Sequence, residues 1–213
     1  MHKTKILIIF IVICLIALGV YFGIKRYNDI KTSMTTQLDF PTTLSKNDAE
    51  LAKYRIFNHK LSPFPEYHFR IVLEKNWKAI DTSLETQIND GDLTFHTLGL
   101  FQKRDETNYP VAEIEVALAK IPTDKPSISL KDLAVDEYGS RLIEIVDYRT
   151  IGQTGQDILF TGKNDEGKTV AVRIMSYRDA QGPFFVVFGT APIDLYNQYA
   201  QDFYAAMVSF EPN

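Results

Sequence analysis

Nineteen consecutive residues, Ile6 to Ile24, carry no charged or amide side chain. At about 1.5 Å per helical residue the run covers roughly 28 Å, close to the thickness of a bilayer's hydrocarbon core. Only a helix satisfies its own backbone polar groups in that setting, so a single transmembrane helix is expected, with Ile6, Phe10, Cys14, Gly19 and Gly23 as anchor positions. Tyr21, Phe22 and Tyr27 then fall near the interface as aromatic anchors. The chain divides on this basis into an anchor (residues 1–26), a polar spacer (27–64) and a globular domain (65–213).

Two other N-termini compete with the anchor. A lipoprotein signal needs small residues before its cysteine, and Val12-Ile13 before Cys14 are bulky. A cleaved signal peptide has a small-x-small site in Ala17-Leu18-Gly19, but the apolar run continues beyond it through Val20, Tyr21, Phe22 and Ile24, which favours an uncleaved anchor. Lys3 and Lys5 face Lys25, Arg26 and Lys31 across the run, so the basic residues alone do not orient it. A short tail ahead of one apolar segment behaves as a signal anchor. The expected location is therefore the inner membrane, with the C-terminal domain in the periplasm. Gly19 and Gly23 form Gly-x-x-x-Gly, a spacing that lets two helices approach closely, so the segment allows a homo-oligomer.

Every charged residue before Tyr27 is basic, which leaves 19 Lys+Arg against 27 Asp+Glu and a net charge of −8 for the rest. That sign argues against nucleic acid as a partner and against a domain lying on anionic lipid. Cys14 is the single cysteine, so the domain has no disulfide, thiol nucleophile or cysteine-ligated metal.

Within the spacer, residues 45–58 allow two structures. Ser45 with Asp48 resembles a helix start, with Leu51, Tyr54 and Phe57 as a sparse apolar face, whereas Tyr54, Ile56 and Asn58 alternate as in a strand. Beyond Pro65 the period is mostly two. Strands are expected through Tyr67–Leu73, Leu93–Phe101, Ala112–Ala119 and Ile145–Thr150. A hairpin of Gln156–Gly162 and Lys168–Tyr177 is expected about a polar, glycine-bearing loop. Phe184–Phe188 is apolar on both faces, as in a strand covered from both sides. Leu130, Leu133, Ala134, Tyr138 and Leu142 have helical spacing behind Ser127 or Ser129 as cap, and so do Tyr196, Tyr199, Ala200, Phe203 and Met207 behind Pro192 and Asp194. The class is α+β, a largely antiparallel sheet sandwiched between helices and preceded by the transmembrane helix.

Reactive constellations are scarce. His59, His68 and His96 are the histidines beyond the anchor, and on strict alternation His68 and His96 point away from the aromatic face. No His-Glu-x-x-His, Cys-x-x-Cys, calcium-loop, nucleotide-loop or Gly-x-Ser-x-Gly pattern occurs, so no metal, cofactor or catalytic residue is assigned. Glu113 and Glu115 share one face of a strand, their carboxylates roughly 7 Å apart, a separation a hydrolase can use. Ile114, Val116 and Leu118 already define a buried side, so the glutamates are expected to form its solvated counterpart. The aromatic load after Tyr177 exceeds what one helix face buries. Tyr177, Pro183, Tyr196 and Tyr204 are the candidate partner surface.

Several phrases in order resemble the PsbP-like superfamily, which includes the DcrB periplasmic proteins and shares its fold with a nuclear Ran-binding protein. They are Tyr67-His-Phe-Arg-Ile leading to Trp77, Thr150-Ile-Gly152, Asp157-Ile-Leu-Phe-Thr-Gly162, Glu166-Gly-Lys-Thr-Val-Ala-Val-Arg173, Phe185-Val-Val-Phe-Gly-Thr-Ala-Pro192, and a closing helix ending Val208-Ser-Phe210. The resemblance spans about Phe64 to Phe210. It implies an antiparallel sheet between helices, in a family whose members mainly bind other proteins or stabilise assemblies, and it carries over no catalytic residue. The expectation is a membrane-anchored envelope protein, not an enzyme, whose domain docks other envelope proteins in a larger complex such as a secretion or transport machine. The alternative is a tethered sensor or small-ligand or metal-binding domain with a pocket between the sheet and the Leu130–Leu142 helix.

Overall fold

The computed structural model describes residues 21, 37–44, 52–59, 68–80, 87–90, 93–120, 129–152, 155–178 and 184–212. The expected anchor positions Ile6, Phe10, Cys14, Gly19 and Gly23, and Pro183 of the candidate partner surface, lie outside the described residues. Among the described residues no helix is long and apolar enough to cross a membrane. Leu38 to Asn213 forms one compact unit.

Among its described residues that unit holds eleven strands and two α-helices. In order they are β1 (Tyr54–His59), β2 (Phe69–Glu74), β3 (Lys78–Ile80), β4 (Gln87–Asp90), β5 (Leu93–Arg104), β6 (Pro110–Lys120), α1 (Leu130–Tyr138), β7 (Leu142–Ile151), β8 (Gly155–Lys163), β9 (Thr169–Arg178), β10 (Phe184–Pro192), α2 (Tyr196–Val208) and β11 (Glu211–Pro212). An eight-stranded sheet runs β3-β5-β6-β10-β9-β8-β7, with β4 also on β5, and a three-stranded sheet runs β1-β2-β11; every pairing is antiparallel. The α+β class with its antiparallel sheet between helices is thus present.

Alternation along the central strands divides the large sheet into two faces. Ile114, Val116 and Leu118 of β6, with Leu159, Ala171, Met175, Phe185 and Val187, bury under α2. Ala117 and Ala119, with Ile158, Phe160, Val172, Ile174, Phe184 and Val186, bury on the side of α1. The apolar run of β10 therefore feeds both cores, and β10 lies between β6 and β9 as its two-sided hydrophobicity requires.

Helix α1 starts at Ser129, whose hydroxyl accepts from the Lys131 N–H at 3.2 Å, while Gln156 Oε1 takes the Leu130 N–H at 2.8 Å. It ends on Gly139 at φ +48°, a conformation that favours glycine. Helix α2 has no side-chain cap, and packing holds it instead: Tyr196, Tyr199, Ala200, Phe203 and Met207 are all buried. One side of α2 meets β2 and the other meets β6, β9 and β10.

Part of the stretch expected to be a spacer belongs to the domain. Residues 54–59 take the strand alternative, pairing as β1 along the whole of β2. Leu38 is buried, and Phe40 and Phe57 pack against the same core. A polar composition concealed this because the arm docks with a few residues only, each of them large.

Strict alternation also fails in β5. A register shift between Thr97 and Gly99 changes which side each later residue takes. His96, opposite Leu118, is buried, and Phe101, opposite Ile114, joins the core under α2. The expectation that His96 points away from that core is corrected: the bulge puts His96 and Phe101 on one face and turns Leu100 and Gln102 toward Glu115 and Glu113.

Candidate functional site

The expected partner surface is largely absorbed by the fold. Tyr196 is 0% exposed and Tyr204 8%, so neither forms an open anchor. Tyr196 packs on Phe203 in the core, and the arm covers Tyr204. Tyr204 donates its hydroxyl to the Thr42 carbonyl, Asn197 Oδ1 accepts from the Asp39 N–H at 2.9 Å, and Arg173 donates to the Pro41 carbonyl at 2.7 Å. Strands and arm together bury more faces of α2 than its own periodicity shows. Tyr177 is half-buried, its ring tilted against Phe210 with centroids 5.0 Å apart, and its hydroxyl donates to the Met207 carbonyl. Burial pushes the Tyr177 hydroxyl far above its ordinary range.

Apolar surface does remain, at a place the sequence does not single out. A groove of about 310 Å³ runs between β1 and the C-terminal half of α2, lined by Leu44, Tyr54, Ile56, Val72, Ala205 and Val208. Leu44 is 44% exposed, Ile56 54% and Val208 45%. Its floor is rigid: Ser209 Oγ accepts from the Val72 N–H at 2.9 Å and donates to the Ala206 carbonyl at 3.0 Å, which staples the end of α2 to β2. Tyr54 donates its hydroxyl to Asp202, and Trp77 Nε1 donates to the same carboxylate at 3.4 Å. The signal in the sequence is the strand alternation itself, since Ile56 falls opposite to Phe57, which packs edge-on against Phe101 at 5.0 Å.

A second feature lies on the α1 side of the large sheet. There Phe95 and Leu100 of β5, Glu113 and Glu115 of β6, Val172 of β9, and Phe188 and Thr190 of β10 surround a recess of about 110 Å³ that Tyr138 closes from the end of α1. In register, Glu115 sits between Leu100 and Phe188, and Glu113 between Gln102 and Thr190. The glutamates share a face, as their spacing requires, but that face is not simply a solvated counterpart. It continues into the second core, because the sheet is covered on both sides.

Burial therefore raises the Glu115 carboxyl above its ordinary value; the Thr97 hydroxyl, which donates to it, acts the other way, and the charge of Glu113 adds to the rise. Gln102 Nε2 donates to Glu113 at 2.6 Å. Because the folded state holds the Glu115 proton more tightly than the unfolded chain does, stability falls as pH rises from the ordinary carboxylate range through the raised value. Glu115→Gln is expected to flatten that slope and to be more stable than the parent at neutral pH. Urea unfolding across a pH series checks this, and an unchanged slope in the variant removes the assignment.

His68 is exposed and precedes β2, while His96 is buried in β5. Among the described residues no group of three or more His, Cys, Asp or Glu is placed to hold a metal.

No protein-family model and no curated protein matches this chain. Solved structures similar to it include a PsbP from Synechocystis sp. PCC 6803, with 15% identity, a TM-score of 0.48 and coverage of 79% of this chain and 98% of that one. LpqN of Mycobacterium tuberculosis, described as involved in cell envelope biogenesis, matches with 14% identity, a TM-score of 0.46 and coverage of 75% of this chain and 91% of that one.

Proposed function

We propose that this chain is a membrane-tethered, non-catalytic docking domain that binds another envelope protein through the groove between β1 and α2. The observation that carries this is the exposure of Leu44, Ile56 and Val208 around one apolar groove. Apolar side chains gathered on a rigid floor gain by being covered, and scattered ones do not. The occupant is a protein segment with apolar side chains rather than a lipid surface, since beyond the anchor the chain carries a net charge of −8 and is repelled by anionic lipid. The apolar run at Ile6–Ile24 supports a place in the inner membrane, with the groove in the compartment outside it. A secretion or transport machine is the kind of assembly such a component serves.

The test is photo-crosslinking from position 56 or 208 of the full-length chain in its native membrane. A discrete partner that is lost in Ile56→Asp and in Val208→Asp, while crosslinking from an exposed control position such as 163 gives none, is the expected result. A solitary chain, or partners indifferent to both substitutions, overturns the proposal. Both sites are exposed, so the variants are expected to unfold within about 0.5 kcal/mol of the parent.

A further inference from the structure

The recess on the α1 side of the large sheet holds two carboxylates that make no ion pair among the described residues. Glu115 accepts from Thr97 and Glu113 from Gln102, both neutral side chains. The cations that follow Gln102 on β5 have other partners. Lys103 pairs with Glu74 at 3.0 Å, and Arg104 donates to Gln102 Oε1 at 2.7 Å and to the Asn108 carbonyl at 3.2 Å. Two anions side by side on one strand, partly withdrawn from water, are unfavourable to the fold unless something positive joins them. Beside the glutamates and Thr190 stand Phe95 and Phe188, edge to face with centroids 6.1 Å apart, Val172, Leu100 and Tyr138.

We propose that this recess binds an alkylammonium group. Glu113, Glu115 and the Thr190 hydroxyl supply three acceptors, the number an –NH3⁺ group needs for its three donors. Aromatic rings attract such a cation through their faces, and the aliphatic wall takes its carbon stem. A bare calcium ion wants six to eight oxygens and magnesium a near-ideal octahedron with waters, and among the described residues no group of three or more His, Cys, Asp or Glu is placed to hold a metal. The volume, about 110 Å³, exceeds the roughly 10–15 Å³ that one water requires, so a headgroup of several heavy atoms fits. The recess lies on the opposite face of the large sheet from α2, and its occupancy does not depend on the docking groove.

The experiment uses the full-length chain in detergent micelles, labelled at leucine and valine methyls, with Leu100 and Val172 as reporters in the lining. Titration with n-butylammonium chloride is expected to shift both reporters saturably. n-Butanol, of the same shape without the charge, and magnesium or calcium chloride at matched ionic strength are expected to leave them in place. Glu113→Gln and Glu115→Gln are each expected to weaken butylammonium binding at least tenfold, whereas Glu166→Gln in the β8–β9 turn leaves it unchanged. Dispersed methyl spectra in both variants establish that they fold. A second arm with Nα-acetyl-lysine N-methylamide separates the sources: tenfold tighter binding than butylammonium assigns the cation to a lysine of a protein, and equal affinity assigns it to a free amine. Shifts produced equally by butanol, shifts produced by divalent metal but not by the amine, or binding that survives both substitutions overturn the proposal.

Discussion

Asp157→Ala is expected to destabilise the domain by about 3–5 kcal/mol, the loss typical when one partner of a buried ion pair is removed. Asp157 and Arg173 are both 0% exposed. The carboxylate accepts from Arg173 Nε at 3.0 Å and from its terminal nitrogen at 2.8 Å, and from Arg149 Nε at 2.8 Å. Removing it leaves a guanidinium in the core with no anion. Arg173 lies 4.3 Å from the Phe40 ring centroid and 5.0 Å from that of Tyr204, and those rings replace little of a lost carboxylate. Arg149→Ala costs less, because its side chain is 28% exposed and the Asp157–Arg173 pair survives.

The damage should not stay local. Arg173 also donates to the Pro41 carbonyl, so a guanidinium that loses its orienting carboxylate loosens the arm at Leu38–Leu44 as well. Proteolysis near the arm is expected to accelerate in Asp157→Ala and much less in Arg149→Ala. Urea unfolding gives the first quantity and a timed protease digest the second. An Asp157→Ala domain within 1 kcal/mol of the parent would show that water enters and rescues the arginine, contrary to the burial described.

What the sequence discloses and what it hides have physical reasons. The two-sided apolar run of β10, the β8–β9 hairpin and the stripe of α2 are local patterns with one period each, and each forms where its pattern lies. Three things depend on chain far away. Asp157 and Arg173 sit in strands buried on both faces, and their pairing inside the core is covered by the arm, which contributes Phe40 and Pro41 from more than a hundred residues earlier. Tyr204 looks like surplus aromatic surface until the same arm covers it. Glu113 and Glu115 are legible as one face of a strand, but that this face carries a second core with a recess requires α1 to be folded over it. The groove beside α2 is visible only once β1 is known to be a strand, which its sequence leaves undecided.

The contact of α2 with the sheet makes the most stringent demand on residue size. Gly189 in β10 lies under Phe203, and a Cβ at that position would sit 2.6 Å from the ring's Cγ, inside any real carbon–carbon contact. Gly189→Ala is therefore expected to cost about 1–3 kcal/mol by overpacking. The ring cannot step aside freely, because it packs on Trp77 at 6.1 Å, Tyr196 at 5.7 Å and Tyr199 at 6.4 Å between centroids. Phe203→Ala alone is expected to cost about 3–5 kcal/mol, since the ring is fully buried and the cluster around it closes poorly over the cavity. The two effects have opposite signs of volume, so the double variant should be more stable than the sum of the single losses predicts: the new methyl enters space that the ring has vacated. A double-mutant cycle by urea unfolding measures that coupling, with at least about 0.5 kcal/mol of relief expected for residues in direct contact. Strict additivity would mean that Gly189 is needed for its backbone rather than for the ring above it, and the backbone of β10 at that position has no positive φ to require a glycine.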